Sequence, residues 1–282
     1  MMNKSSSIAV HSKSLIYDHL IYMKRGKKML SIERREKIKE ILLTKKNVTV
    51  AEMAELFSVS TETIRRDFEL LSNEGFLIKT YGGASLSFRK NITVPQKIKS
   101  FVMREEKQRM AKQAVQLIHP NDCIFLDHST TVFALCEFLS DIPLTVMTNS
   151  LPVMEAVSQY RNIQLCVPSG DFDQKSQAFF GIETIKYLKQ HCFDKSFISC
   201  TSLDMVYGIH DSEDMIAELH RSILECTDNA CLIADHTKFD RSAFVRTSPI
   251  ESVDILITDE KVSEDWRTHL KEYEIHIIES EK

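Results

Sequence analysis

Residues 58–84 read SVSTETIRRDFELLSNEGFLIKTYGGA, and this pattern decides how the first part of the chain folds. Ser60 stands at an N-cap position, where its hydroxyl can accept an orphan N–H of the first helical turn. Ile64, Phe68 and Leu71 recur at i, i+4 and i+7, so they share one buried face and leave Thr61, Thr63, Arg65 and Arg66 facing outward. Adjacent arginines beside small hydroxyl residues suit a helix lying in a DNA major groove, because guanidinium forks reach guanine edges or phosphates. Asp67 and Glu69 moderate the charge of this helix. The helix is expected to end near Asn73-Glu74-Gly75, followed by a strand over 76–81 and a turn at Gly82-Gly83. A solvated basic helix within a bundle is the plain alternative.

Upstream, residues 31–42 have helical spacing, with Ile38, Ile41 and Leu42 on one face. Thr49-Val50-Ala51-Glu52 has the form of a capping box ahead of the apolar face Met53, Ala54 and Phe57. With a turn at Ser58-Val59, this short helix and the one after it make a helix-turn-helix unit.

TETIRRDFELLSNEGFLIKTYGGA resembles the signature of the DeoR-type winged helix-turn-helix regulators, in its RRD triplet, its E-G before the wing and its G-G-A tip. Tyr81 replaces the usual histidine before the glycine pair. The resemblance implies binding of double-stranded DNA, with repeated half-sites, through Ser60, Thr61, Thr63, Arg65, Arg66, Lys79, Tyr81, Gly82 and Gly83. Proteins of this family tend to begin near a segment like Met29-Leu30-Ser31, which makes residues 1–29 an expected disordered extension.

Charge is split along the chain. Residues 1–90 hold 17 Lys and Arg against 10 Asp and Glu, whereas residues 91–282 hold 19 against 30, so only the front is suited to a polyanion. The apolar stretch at 15–23 is interrupted by Asp18 and His19 and is too short for a membrane span or a secretory signal. Seven cysteines without a C-x-x-C pair favour reduced, mostly core thiols in a cytoplasmic protein over a zinc module or a disulfide framework. Neither a cofactor nor a metal is expected.

After a proline-containing linker over 86–103, residues 104–117 are helical again, and apolar runs then alternate with helix-period segments. The runs are 123–126, 144–148, 163–167, 196–200, 230–234, 255–258 and 275–278. Strands this apolar are buried on both faces, so the fold class is α/β: a doubly wound, mostly parallel sheet over 104–282, behind the winged domain at 30–85. Ligands in such sheets lie beyond the strands' carboxyl ends, where this chain carries Asp127-His128-Ser129-Thr130-Thr131, Thr148-Asn149-Ser150, Pro168-Ser169-Gly170, Thr201-Ser202 and Asp235-His236-Thr237-Lys238. Hydroxyls and free N–H groups there can hold an anion, with Lys238 as countercharge. The same residues can also simply cap the helices that follow.

This second part resembles the sensor domain of the same DeoR family, which is similar in fold to sugar-phosphate isomerases and binds phosphorylated sugars. TNSLP at 148–152, Gly181, ADHTKF at 234–239 and the closing DILITD carry the likeness. Several positions depart from it: the usual D-S-G-T-T is DHSTT, a glycine pair is Ser169-Gly170, an expected glycine is Ser202, an expected lysine is His220 and an expected acid is Ile216. The resemblance implies an effector site of Asp127, Ser129, Thr130, Thr131, Asn149, Ser150, Gly170, His220 and Lys238, in which a titratable His220 replaces a permanent cation. Three functions stay open at this point: a homo-oligomeric transcriptional regulator, expected as a repressor of carbohydrate genes released by a sugar phosphate; an isomerase- or deaminase-type enzyme carrying a DNA-binding module; and a regulator without a small-molecule effector. Asp127, His128, Asp204 and His210 are the side chains that could serve an enzyme as base.

Overall fold

The computed structural model describes residues 29–45, 47–73, 76–86 and 103–280. Residues 1–28 of the expected extension at 1–29, and nearly all of the linker, lie outside the described residues. Contacts divide the chain into two compact units, with the boundary between Ile92 and Thr93.

In the first unit, α1 (Ser31–Lys45) is followed by β1 (Asn47–Thr49), α2 (Val50–Phe57), α3 (Thr61–Asn73), β2 (Leu77–Thr80) and β3 (Gly83–Leu86). Half of the capping box forms: the Thr49 hydroxyl accepts from the Glu52 amide at 3.1 Å, while the Glu52 carboxylate pairs with Lys45. Ser58 closes α2 in the left-handed region at φ 52°, and its amide and that of Val59 satisfy carbonyls of the last turn. That cap turns the chain into α3, where Ser60 Oγ accepts from the Thr63 amide at 3.2 Å. Ile64, Phe68 and Leu71 are buried, as their spacing requires.

Two features differ from the sequence reading. Asp67 does not sit outside to dilute charge: it is 3% exposed and takes Arg34 Nε at 2.6 Å and Nη2 at 3.3 Å from α1, with Arg35 at 3.6 Å. The RRD triplet is therefore divided, two arginines pointing out and the aspartate tying α3 to α1. The second concerns the wing. Thr80 pairs with Gly83, so the turn is Tyr81-Gly82, and Gly83 opens β3 instead. Gly82 has φ +80°, while a Cβ on Gly83 would lie 2.3 Å from the Val48 carbonyl oxygen of β1. The three strands run in the order β1-β3-β2, leaving Tyr81 fully exposed at the tip.

The second unit begins with α4 (Arg104–Val115). All seven apolar runs form strands of a single parallel sheet: β4 (Cys123–Leu126), β5 (Leu144–Thr148), β6 (Ile163–Cys166), β9 (Lys195–Ile198), β12 (Ala230–Ile233), β14 (Ile255–Thr258) and β15 (His276–Glu279). The order β15-β14-β12-β9-β4-β5-β6 reverses direction between β4 and β9. Alternate strand residues feed two cores. Ile124, Leu126, Val146 and Ile233 pack on one face, and Phe125, Met147, Ile198 and Leu232 on the other. α5 (Thr130–Phe133), α6 (Leu151–Val157), α7 (Ile182–Leu188), α8 (Asp214–Leu224) and α9 (Glu264–Glu272) complete the helices. Absent from the sequence reading are the hairpin β7 (Asp171–Asp173) with β8 (Ala178–Phe180), and the antiparallel sheet of β10 (Ser202–Asp204), β11 (Gly208–Asp211) and β13 (Val245–Ser248).

The Arg34–Asp67 pair generates a direct expectation. Asp67→Ala strands a buried guanidinium, so it lowers the stability of the first unit by about 3–5 kcal/mol. Exposed Glu69→Ala changes it far less, and chemical denaturation of the two variants checks the contrast.

Candidate functional site

In α3 the side chains of Arg65 and Arg66 are 64% and 79% exposed, each in only a loose contact with Glu62, at 3.8 and 3.7 Å. Ion pairs this open contribute little and release easily to a phosphate or base. Thr61 is exposed, and Thr63 shares its hydroxyl with Ser60 at 2.9 Å, so the helix start presents a held pair of hydroxyls. Lys79 on β2 ion-pairs with Glu69, and Tyr81 and Gly82 form the wing tip. Of the residues expected to touch DNA, only Gly83 is enclosed; it lets β1 and β3 approach and offers no contact surface.

The second candidate site lies where the sheet reverses. Parallel strands bring the loops after β4, β5, β6, β9 and β12 to one edge, and the crevice of such a sheet opens between the strands at the reversal. Asp127 bridges that point. One carboxylate oxygen accepts the Ser129 amide at 2.7 Å, and the other accepts the Ser199 amide beyond β9, also at 2.7 Å. The side chain is fully buried.

Opposite Asp127 stands His220 of α8, 1% exposed, its Nε2 3.4 Å from Asp127 Oδ2 and its Nδ1 2.8 Å from Asp211 Oδ2. The Thr247 hydroxyl donates to the same Asp211 oxygen at 2.8 Å. Burial by itself would lower the imidazole pKa. The attraction of Asp211 and the contact with Asp127 overcome it and push the value up to about 10. Burial would likewise raise both carboxyls, yet His220 holds each below the usual range. His220, titratable by residue type, is thereby held as a cation at neutral pH. A lysine there would add no charge that the imidazolium lacks. Ile216, where the family pattern has an acid, packs into the core.

Several other expected residues serve the fold first. Ser129 Oγ caps α5 by accepting the Val132 amide at 3.0 Å, and Ser150 Oγ caps α6 by accepting the Val153 amide at 3.5 Å. The Ser129 amide, expected to be free for an anion, is taken by Asp127. Gly170 is needed by packing, since a Cβ there would lie 2.2 Å from Thr184 Oγ1 and 2.5 Å from the Phe180 carbonyl oxygen. Thr131 is buried. Asn149 is also buried; its Nδ2 donates to the Phe179 carbonyl at 3.1 Å, and its Oδ1 accepts no hydrogen bond among the described residues.

The sequence reading missed Lys107. It lies on α4, far from any strand end in sequence, yet its buried ammonium donates to Thr130 Oγ1 at 2.9 Å. Lys238 and Lys107 both act on the Asp235 carboxyl, which they hold below its ordinary value against the effect of burial. Two lysines therefore attend this edge of the sheet where one was expected. Of the four possible bases, Asp204 and His210 are engaged elsewhere: Asp204 accepts the Val206 and Tyr207 amides, and His210 Nδ1 lies 3.3 Å from the Ala243 carbonyl oxygen. His128, half-buried, stacks on His220 with centroids 6.0 Å apart. Among the described residues, no helix is long and apolar enough to cross a membrane.

A family model for a DeoR-like helix-turn-helix domain matches residues 34–89, and one for the DeoR C-terminal sensor domain matches residues 102–260. The regulator IolR of Bacillus subtilis is 27% identical over 88% of this chain and 99% of its own length. The repressor GlcR of the same organism is 30% identical, covering 82% of this chain and 89% of its own. The glycerol-3-phosphate regulon repressor of Escherichia coli is 26% identical, covering 82% and 92%.

The His220 environment has a pH signature. Its folded pKa, about 10, lies above the ordinary 6.5, so the stabilisation is complete below about pH 6.5 and is lost as pH climbs towards 10. Both aspartates have lowered values and stay ionised throughout that window. Urea denaturation of wild type and His220→Gln is expected to show a stability gap that is widest near about pH 6 and narrows steadily towards about pH 9.5.

Proposed function

Because the chain belongs to the DeoR family of winged helix-turn-helix transcriptional regulators, we propose that it represses carbohydrate uptake or metabolism genes and leaves its operator when a phosphorylated sugar occupies the strand-end crevice of the second unit. The observation that carries the effector reading is the buried Lys107 ammonium braced on Thr130 at 2.9 Å, on the edge of the sheet that also carries Lys238. A phosphoryl group is a doubly charged acceptor, suited to two ammonium groups beside a hydroxyl. The buried Asn149 Oδ1 is an acceptor suited to a sugar hydroxyl. One relative is named as the repressor of a glycerol-3-phosphate regulon, which supports a phosphorylated effector.

DNA recognition is assigned to Thr61, Thr63, Arg65 and Arg66 of α3, with Ser60 holding the helix start and Lys79, Tyr81 and Gly82 reaching from the wing. One short helix reads few base pairs, so two or more copies are inferred to engage repeated half-sites. Turnover is not part of the reading. Asp127 and His220 hold each other, and Asp211 and Thr247 hold His220 from the other side, which leaves them poorly placed to carry a proton to and from a sugar.

Two expectations test these assignments. Arg65→Ala with Arg66→Ala abolishes specific operator binding in a footprinting assay while leaving the melting temperature in place, each lost base contact costing about 1–3 kcal/mol; an unchanged footprint refutes the α3 assignment. Lys238→Ala and Lys107→Met leave operator affinity unaltered but raise the sugar-phosphate concentration needed for release. Sugar phosphates that neither release DNA nor raise the melting temperature of any of these proteins refute the effector reading, and formation of an isomerised or deaminated product refutes the binding-only reading.

A further inference from the structure

Asp127, His128 and His220 each offer one ligand-type atom, and the three atoms lie within 4.8 Å of one another. We propose that this cluster binds a divalent first-row transition-metal ion through a carboxylate oxygen of Asp127, a ring nitrogen of His128 and Nε2 of His220. A carboxylate with two imidazoles is a donor set for zinc, iron(II) or cobalt(II) and not for magnesium or calcium, which prefer oxygen alone. The proposal needs neither DNA nor a sugar effector and goes beyond the reading above.

Four observations carry it. First, His220 is held as metal-bound histidines are held: its Nδ1 faces Asp211 at 2.8 Å, and Thr247 fixes that carboxylate in turn. Such an outer contact sets the ring so that Nε2 is the nitrogen directed inward. Second, that Nε2 is buried in a residue 1% exposed, and among the described residues its one charged contact, Asp127 Oδ2 at 3.4 Å, is not aligned as a hydrogen bond. A buried polar atom in this condition calls for a partner.

Third, two buried carboxylates, Asp127 and Asp211, face a single imidazole. Binding replaces the Nε2 proton, which leaves to solvent, by a dication, so the cluster gains one positive charge and Nδ1–H stays on Asp211. Fourth, both imidazoles occupy positions where the sequence leaves the DeoR pattern, His128 in place of a serine and His220 in place of a lysine. The two departures set two imidazoles side by side, centroids 6.0 Å apart, next to one carboxylate. The three protein ligands leave coordination positions open for water or a ligand oxygen at the same crevice.

A second group, His236, Asp259 and Glu260, is as closely gathered, but His236 and Glu260 are exposed and the His236 Nδ1 is already hydrogen-bonded to Asp259 Oδ2 at 2.8 Å. It serves as the control. Full-length protein stripped with a chelator is titrated with Co2+, read by its visible absorption bands, and with Zn2+ by calorimetry, with no DNA or sugar present. One equivalent per chain is expected. His128→Ser, at a half-buried position that should tolerate serine, weakens binding at least about tenfold with an unchanged melting temperature, and His236→Ala leaves it as in wild type. Absence of cobalt bands, equal binding by His128→Ser, or loss of binding in His236→Ala overturns the proposal.

Discussion

Asp127 is the residue through which the sensor unit is assembled. Its two oxygens accept amides from the turn after β4 and from the segment after β9, the two strands between which the sheet reverses. A fully buried carboxylate is tolerable only when nearly every lone pair is engaged and a cation stands near. The amides meet the first requirement and His220 the second. The loops that define the crevice are thereby tied to α8, and Asp211 and Thr247 extend the tie to β11 and β13. One buried charge thus links the central sheet to the small antiparallel sheet beside it.

The same logic, a buried aspartate answered by a cation distant in sequence, organises the DNA-reading unit. Asp67 holds Arg34 across 33 residues of separation. Exposed charge and anchoring are separated on this one helix: Arg65 and Arg66 are open to solvent, while their neighbour is enclosed. The helix can present strong positive charge outward because its own anchor is satisfied inward.

At the strand-end edge, polar residues have two employments that sequence alone cannot distinguish. Ser129 and Ser150 end as caps, and Gly170 as a packing glycine. Lys107, Lys238, Thr130 and Asn149 keep groups suited to a ligand, and Asp127, His128 and His220 gather donors suited to a metal. Ser129 and Ser202 stand where the family pattern has glycine, and Lys107 and His220 bring cations to the same edge from elsewhere in the chain. What departs from the family pattern at His128 and His220 is a change in the chemistry of the site, and its positive charge is not lost.

The sequence by itself determined everything that depends on local periodicity and local sterics. The buried face Ile64, Phe68 and Leu71, the Thr49 and Ser60 caps and the seven apolar strands all follow from spacing, because burial of one helix face or of both strand faces leaves a repeating mark on neighbouring residues. The gathering of the strand-end loops on one edge also followed, since the strands are parallel. Only the tertiary structure decided the strand order, the position of the wing turn, the partner of Asp67, the arrival of Lys107 beside Thr130 and the charge of His220. Each depends on groups that are far apart in sequence and meet only after packing. An imidazole's protonation is set by the field of the carboxylates around it and by the water removed from it, and neither leaves any periodic trace in the chain.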